Sequence, residues 1–146
     1  TSKPDVDAGE VARASADTMW AGDRASRLLG MAVVAVAPGS AQVSMVVRSD
    51  MVNGWGLCHG GFVASLADTA FARACNSHGE VTVAAGFDIS FLEPAHEGDV
   101  LVASATERSV RGRSGIYDVT VDRTNDGATI AEFRGRSRSL GRPITD

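Results

Sequence analysis

Cysteine is scarce in this chain. Cys58 and Cys75 are the only two among 146 residues, too few for a disulfide framework. A reducing compartment is therefore the expectation, with the cytoplasm as the default location. No apolar run approaches the roughly 20 residues of a membrane-spanning helix. The opening stretch TSKPDVDAGEVARASADTMW is acidic and polar, without the apolar h-region of a secretory signal. No membrane partner is expected. Lysine occurs once, against thirteen arginines, and the net charge of −4 argues against general nucleic-acid binding.

Several catalytic signatures are missing too. There is no G-x-S-x-G elbow, since Gly112-Arg113-Ser114-Gly115 has the wrong spacing, and no Walker or Rossmann glycine pattern occurs. Cys58, His59, Cys75 and His78 match no standard zinc knuckle, so no metal is expected. Cys58 and His59 are adjacent and point apart, a poor arrangement for a thiol nucleophile and its base. His96, in the turn PAHEGD, reads as a solvated loop residue. With no repeat, low-complexity tract or linker, residues 1–146 are expected to form one domain.

What is present has clear periodicity. Residues 9–22 have moderate amphipathic helical character, and residues 1–29 form the expected N-terminal helical extension. Met31 to Ala37 and Ala41 to Val47, split by Pro38-Gly39-Ser40, read as a hairpin. Residues 60–78 read as a helix thinned by Ala64, Ser65, Ala67, Ala70, Ala72 and Ala74. Four strands follow. Val81 to Phe91 alternates with period two, and Asp99 to Arg108 carries Leu101, Ala103 and Ala105 on one face. Ile116 to Arg123 points Tyr117, Val119 and Val121 inward, and Thr129 to Leu140 separates Ala131 and Phe133 from Glu132, Arg134, Arg136 and Arg138. Hairpin-like turns predict an antiparallel sheet, with helices segregated in an α+β arrangement.

Between the hairpin and the long helix lies NGWGLCHGG, residues 53–61. Gly60-Gly61 falls where the helix starts, so its first N–H groups have no partner inside the helix. With the positive end of the helix dipole behind them they suit developing negative charge, such as a carbonyl under attack. The pair also suits a helix that merely starts in tight space. Asp68 is a lone acid among Leu66, Ala67, Thr69, Ala70 and Phe71. It lies either on a solvent-facing strip or in a site, because burying a carboxylate raises its pKa and is costly without partners. Gly60 and Asp68 are separated by roughly 12 Å of helix rise. They cannot hold one reacting carbon between them, so if both take part, one comes from a second copy related by two-fold symmetry.

N-G-x-G-x-C-H-G-G followed by L-A-D-x-A-F-A-x-A-C-N-S resembles the hotdog-fold thioesterases of phenylacetate degradation. The likeness continues through FLEPAHEGD, RSGIYDV and FRGRS and covers about residues 30–142. The resemblance implies a long helix wrapped by a curved antiparallel sheet and hydrolysis of phenylacetyl-CoA or hydroxyphenylacetyl-CoA. Asp68 would act as general base or nucleophile, and the Gly60 N–H would hold the thioester oxygen. Asn53 and His59 would orient water and order the loop from the subunit opposite Asp68. Gly61 and Trp55 would line the substrate, Trp55 by narrowing the acyl pocket.

For a hydroxyl that holds the water on the third strand, Ala84 and Ala85 leave Thr82, Ser90 or no residue at all. Arg108, Arg111 and Arg113 in the turn ERSVRGRSG, with Arg138 on the last strand, would hold the CoA phosphates. Glu107 is positioned to neutralise one of them, and Arg134 and Arg136 are expected to pair with Asp118 or Asp122. No cofactor is implied beyond the CoA of the substrate itself. Third strands would pair across a dimer, and two dimers would make a homotetramer. The alternatives are a non-catalytic acyl-CoA-binding or sensing hotdog protein, a hotdog hydratase, or a thioesterase for another aromatic or medium-chain acyl-CoA.

Overall fold

Small residues decide the centre of this fold. Helix α3 (Gly60–Cys75) buries Ala67, Ala70 and Ala74 completely, together with Val63, Leu66 and Phe71. Alanine is the best intrinsic helix former and adds almost no girth. A curved sheet therefore approaches the helix closely. The computed structural model describes residues 7–145; residues 1–6 of the expected N-terminal extension, and Asp146, lie outside the described residues.

The remaining elements are α1 (Ala8–Gly22), α2 (Arg24–Leu28), β1 (Ala32–Ala37), β2 (Ser40–Val46), β3 (Glu80–Phe91), β4 (Val100–Arg111), β5 (Ser114–Arg123) and β6 (Thr129–Pro143). A single 3₁₀ turn, Ser49–Met51, follows β2. The six strands form one antiparallel sheet in the order β1-β2-β4-β5-β6-β3. The sheet wraps α3, which packs mainly on β2, β4 and β5. This is the hotdog arrangement that the resemblance implies. Val43, Met45, Leu101, Ala103, Val119 and Val121 fill the inner face, each at most 1% exposed. At full burial the valine, methionine and leucine side chains among them contribute roughly 1.5–3 kcal/mol each.

Close approach has one sharp requirement. A Cβ on Gly135 of β6 would lie 2.8 Å from the Phe71 ring, which Tyr117 and Phe133 flank at centroid distances of 5.6 and 5.7 Å. Only glycine lets β6 pass there.

Two features add to the sequence reading, and one expectation changes. First, the expected helical extension contains a separate five-residue helix, α2, after α1. Its N-cap Asp23 accepts hydrogen bonds from Ser26 N–H and Oγ and an ion pair from Arg73 Nη2 at 2.7 Å. That guanidinium is 2% exposed and ties the N-terminal helices to α3. Burial works to raise the Asp23 carboxyl, but the Ser26 and Arg73 hydrogen bonds outweigh it and hold it below its ordinary value. Second, the clean alternation of β3 does not mark a buried face. β3 is a sheet edge, and its register slips between Ala84 and Gly86, leaving Val83, Phe87 and Phe91 40–53% exposed. Third, Arg136 pairs with Asp88 on β3 at 3.0 Å and not with Asp118 or Asp122. β6 lies between β5 and β3, and only Arg134 reaches Asp118, through two hydrogen bonds of 2.7 and 2.9 Å.

Candidate active site

The loop before α3 is built around Asn53. Its Oδ1 accepts from Trp55 N–H at 2.9 Å and Leu57 N–H at 3.1 Å, and its own N–H donates to the Leu57 carbonyl at 2.7 Å. Gly56, at φ +76°, closes the turn, and Trp55 is left 88% exposed at the tip. Cys58 N–H to the Ala95 carbonyl (2.7 Å) and His59 N–H to the Met51 carbonyl (2.8 Å) anchor the loop to the body. Asn53 thus orders the loop, its side-chain oxygen fully occupied.

His59 is the N-cap of α3. Its Nδ1 accepts from Gly61 N–H at 3.2 Å, which requires the Nε2–H tautomer of the neutral ring. Gly61 therefore has its donor committed. The N–H of Gly60 has no acceptor among the described residues. It stands at the positive end of a sixteen-residue helix dipole. Next to it is a cavity of about 360 Å³ lined by Asn53, Leu57, Gly60, Val63, Phe91 and Ile130 among others. The Phe91 ring lies 3.0 Å from where a Gly60 Cβ would be. Phe91 was visible in the sequence only as one member of the β3 alternation.

Asp68 occupies the same helix two turns on. It is half-buried, and burial alone pushes its carboxyl above the ordinary value, with no hydrogen bond or cationic partner among the described residues. Seven residues later, on the same helical face, the Cys75 thiol is raised to about 12 by burial first and by the Asp68 charge second. Burial raises Cys58 to about 11. Both sulfurs are neutral thiols near pH 7, which removes them as nucleophiles. No cluster of three metal-ligating side chains occurs among the described residues.

The arginines separate into three groups. Arg108 reaches Asp118 at 3.4 Å, alongside Arg134. Arg111 and Arg138 line an outer-face cavity of about 430 Å³ with Arg136, Ser109 and Ser114. Arg113, in the β4–β5 turn, lines a different cavity on the helix side of the sheet and packs its guanidinium 2.8 Å from where a Gly141 Cβ would be. Arg108 and Arg111 both lie in β4, Arg111 because that strand runs three residues beyond the expected end at Arg108. Glu107 neutralises none of them; it accepts from His78 Nε2 and the Tyr117 hydroxyl, each at 2.7 Å. Of the two third-strand hydroxyls, Thr82 Oγ1 donates to the Glu80 carbonyl at 3.0 Å, and Ser90 is exposed.

An unpaired amide donor and an unpaired carboxylate at a fixed separation on one helix can polarise a carbonyl and activate water, provided two copies meet. Known proteins resemble this chain in sequence and fold. The thioesterase superfamily profile matches residues 56–130. Acyl-coenzyme A thioesterase PaaI of Escherichia coli (strain K12) is 41% identical over 131 residues, covering 90% of this chain and 93% of its own. The solved structure of the E. coli PaaI protein from the phenylacetic acid degradation operon matches with a TM-score of 0.91 at 39% identity, over 94% of this chain and 99% of that one. A mutant form of phenylacetic acid degradation protein PaaI from Thermus thermophilus matches at 0.77 and 36%, over 81% and 100%. The helix that carries both unpaired groups lies wholly inside the matched segment, and on these grounds the chain belongs to the thioesterase superfamily.

Proposed function

We propose that the protein is an acyl-CoA thioesterase that hydrolyses aryl-acetyl-CoA esters of the phenylacetyl or hydroxyphenylacetyl type to the free acid and CoA. The observation that carries this is the pair of uncommitted groups on α3: the Gly60 N–H without an acceptor and the half-buried Asp68 carboxylate without a partner. Asp68 of one protomer takes a proton from water as the water oxygen bonds to the thioester carbon. The Gly60 N–H of the partner subunit holds the oxyanion, a kind of contact that contributes about 3 kcal/mol. The C–S bond then breaks, and the thiolate takes the proton back. A carboxylate whose pKa burial has raised is a stronger base than an ordinary one. Direct attack by Asp68 through an anhydride uses the same geometry.

Placement supports roles for the other residues. Asn53 and His59 hold the loop that presents Gly60, and Gly61 donates to His59 Nδ1 as part of that cap. Trp55 at the loop tip lines the substrate entrance. Arg111 and Arg138 at the outer cavity and Arg113 at the turn bind CoA phosphates, with Arg108 weaker because Asp118 already holds it. A second copy fits along the β3 edge, whose backbone is unpaired on one side and whose Val83, Phe87 and Phe91 are exposed. Two such dimers make the homotetramer of this reading. The reaction needs no metal or cofactor, and a cytoplasmic location, where soluble CoA esters are met, is part of the same reading. Among the described residues no helix is long and apolar enough to cross a membrane.

Release of free thiol from a panel of acyl-CoAs, followed with a thiol reagent, tests the reading. Phenylacetyl- and hydroxyphenylacetyl-CoA are expected to lead the panel. Binding without thiol release would overturn the proposal in favour of a sensing protein.

A further inference from the structure

Asp68 and the Gly60 N–H account for the proton and the oxyanion, but the attacking water also needs a direction. A water that gives one hydrogen to a carboxylate turns its lone pair toward the reacting carbon when a second acceptor holds its other O–H. Neither third-strand hydroxyl stands beside Asp68 in its own protomer. Two hydrogen bonds of 2.8 and 2.9 Å with the Asn76 side chain fix Thr82 at the level of Asn76. That level is roughly 12 Å past Asp68 along the helix axis. Ser90 alternates with Ile89, which packs on the core, and so faces away from α3.

The helix itself offers a better acceptor. The sheet leaves one strip of α3 half-covered, formed by Ala64, Ser65, Asp68, Thr69 and Ala72, while Leu66, Ala67, Ala70 and Phe71 are buried. Ser65 stands one turn before Asp68, on the same face. Helical side chains lean toward the N-terminus, so the Asp68 carboxylate leans over the turn that carries Ser65.

Two hydroxyls therefore flank the carboxylate, and their bonding separates them. Thr69 Oγ1 donates to the Ser65 carbonyl at 2.9 Å and faces α2, 3.3 Å from Ser26 Oγ. Ser65 Oγ donates to the Gly61 carbonyl at 2.8 Å and makes no other hydrogen bond among the described residues. Its one hydrogen is committed, which leaves its lone pairs free to accept. It gives no hydrogen to Asp68, whose basicity it therefore leaves intact.

The fold has no need of this hydroxyl. The helix takes alanine at Ala64, Ala67, Ala70, Ala72 and Ala74. Alanine is the stronger helix former, and a serine that bonds back to the carbonyl four residues earlier slightly weakens a helix.

We propose that Ser65 is a catalytic residue that orients the attacking water: its hydroxyl accepts one water O–H while Asp68 of the same protomer accepts the other. The proton taken by Asp68 passes to the leaving thiolate. The second hydrogen stays on the attacking oxygen and enters the new carboxyl group, so Ser65 neither gains nor loses a proton. This rests on the thioesterase reading above.

The test measures kcat and KM on the best substrate of the acyl-CoA panel for the wild type, Ser65→Ala and Ser65→Thr. Tm and the Kd of a non-hydrolysable thioether analogue are recorded for each. Ser65→Ala should lower kcat about tenfold and leave KM and the thioether Kd within about twofold, with no loss of Tm. Ser65→Thr keeps a hydroxyl that can bond the same carbonyl and should retain most of the turnover. The inference is overturned by a folded Ser65→Ala with wild-type kcat, by a loss confined to KM, or by equal kcat losses in the two variants. Each of these leaves the thioesterase reading standing. A wild type that releases no thiol from any acyl-CoA overturns both.

Discussion

Replacing Asp68 by asparagine should inactivate the protein and stabilise it at once. The carboxylate is half-buried on α3, burial is the only cause of its raised pKa, and neither a cation nor a hydrogen-bond donor compensates it. Asparagine keeps the shape, so no cavity opens, and removes the buried charge. Relieving a strained functional position of this kind commonly yields about 1 kcal/mol. For a domain of this length that is a Tm increase of about 4 °C. The sign with pH is fixed by linkage. The folded protein holds the Asp68 proton more tightly than the unfolded chain does, so wild-type stability falls as pH rises from the ordinary value of 3.8 through the raised one. The advantage of Asp68→Asn should therefore be full near pH 7 and shrink as pH falls toward 3.8. Thermal melts at several pH values read this directly, and thiol release should show turnover lower by at least about a hundredfold. A variant less stable than the wild type at pH 7, or one whose advantage does not change with pH, would refute the burial argument. Unchanged turnover would remove Asp68 from the mechanism.

Arg73→Met leaves Asp23 without its buried cation and should cost about 3 kcal/mol in urea denaturation; a cost below about 0.5 kcal/mol would mean that the pair behaves like a surface ion pair. Gly135→Ala forces a methyl to within 2.8 Å of a Phe71 ring that two other aromatics confine, and overpacking of this kind should cost about 2 kcal/mol, with a native-like stability contradicting the packing. Replacing Arg111 and Arg113 together by alanine should raise KM for CoA esters about tenfold and spare esters of a truncated thiol, since charge-assisted hydrogen bonds to phosphate are among the stronger ones. Equal losses on both kinds of ester would argue against phosphate contacts.

Most of the sheet was legible because its inner positions alternate without interruption. Leu101, Ala103 and Ala105 on β4 and Tyr117, Val119 and Val121 on β5 read inward from sequence and are buried. The helix was legible from its alanines, which only a wrapped environment rewards. What escaped was set by contacts between distant segments. Five residues give α2 no period to detect, and its anchor, Arg73, lies 50 residues from Asp23. The β3 alternation is genuine, but an edge position and a bulge turn much of it outward. Arg136 finds Asp88 only because β3 returns beside β6, an order that strand patterns do not carry. In the candidate site, Asp68 and the Gly60-Gly61 junction stood out as local exceptions.

The central claim is that each site takes its acid from one protomer and its amide donor from the other, and mixed dimers test it most directly. Asp68→Asn removes the acid. Gly60→Pro removes the donor: Gly60 is the first residue of α3, and His59, at φ −60° and ψ 131°, already has the extended backbone that a following proline favours, while the half-exposed Phe91 ring, 3.0 Å from the new Cβ, must swing aside. Each variant alone should be inactive. When equal amounts are unfolded and reassembled together, half the dimers are mixed, and one of the two sites in each mixed dimer holds both intact groups. The two-protomer account predicts recovery of about a quarter of wild-type turnover. A mixture as inactive as its components, each shown to fold and to exchange subunits, would contradict it.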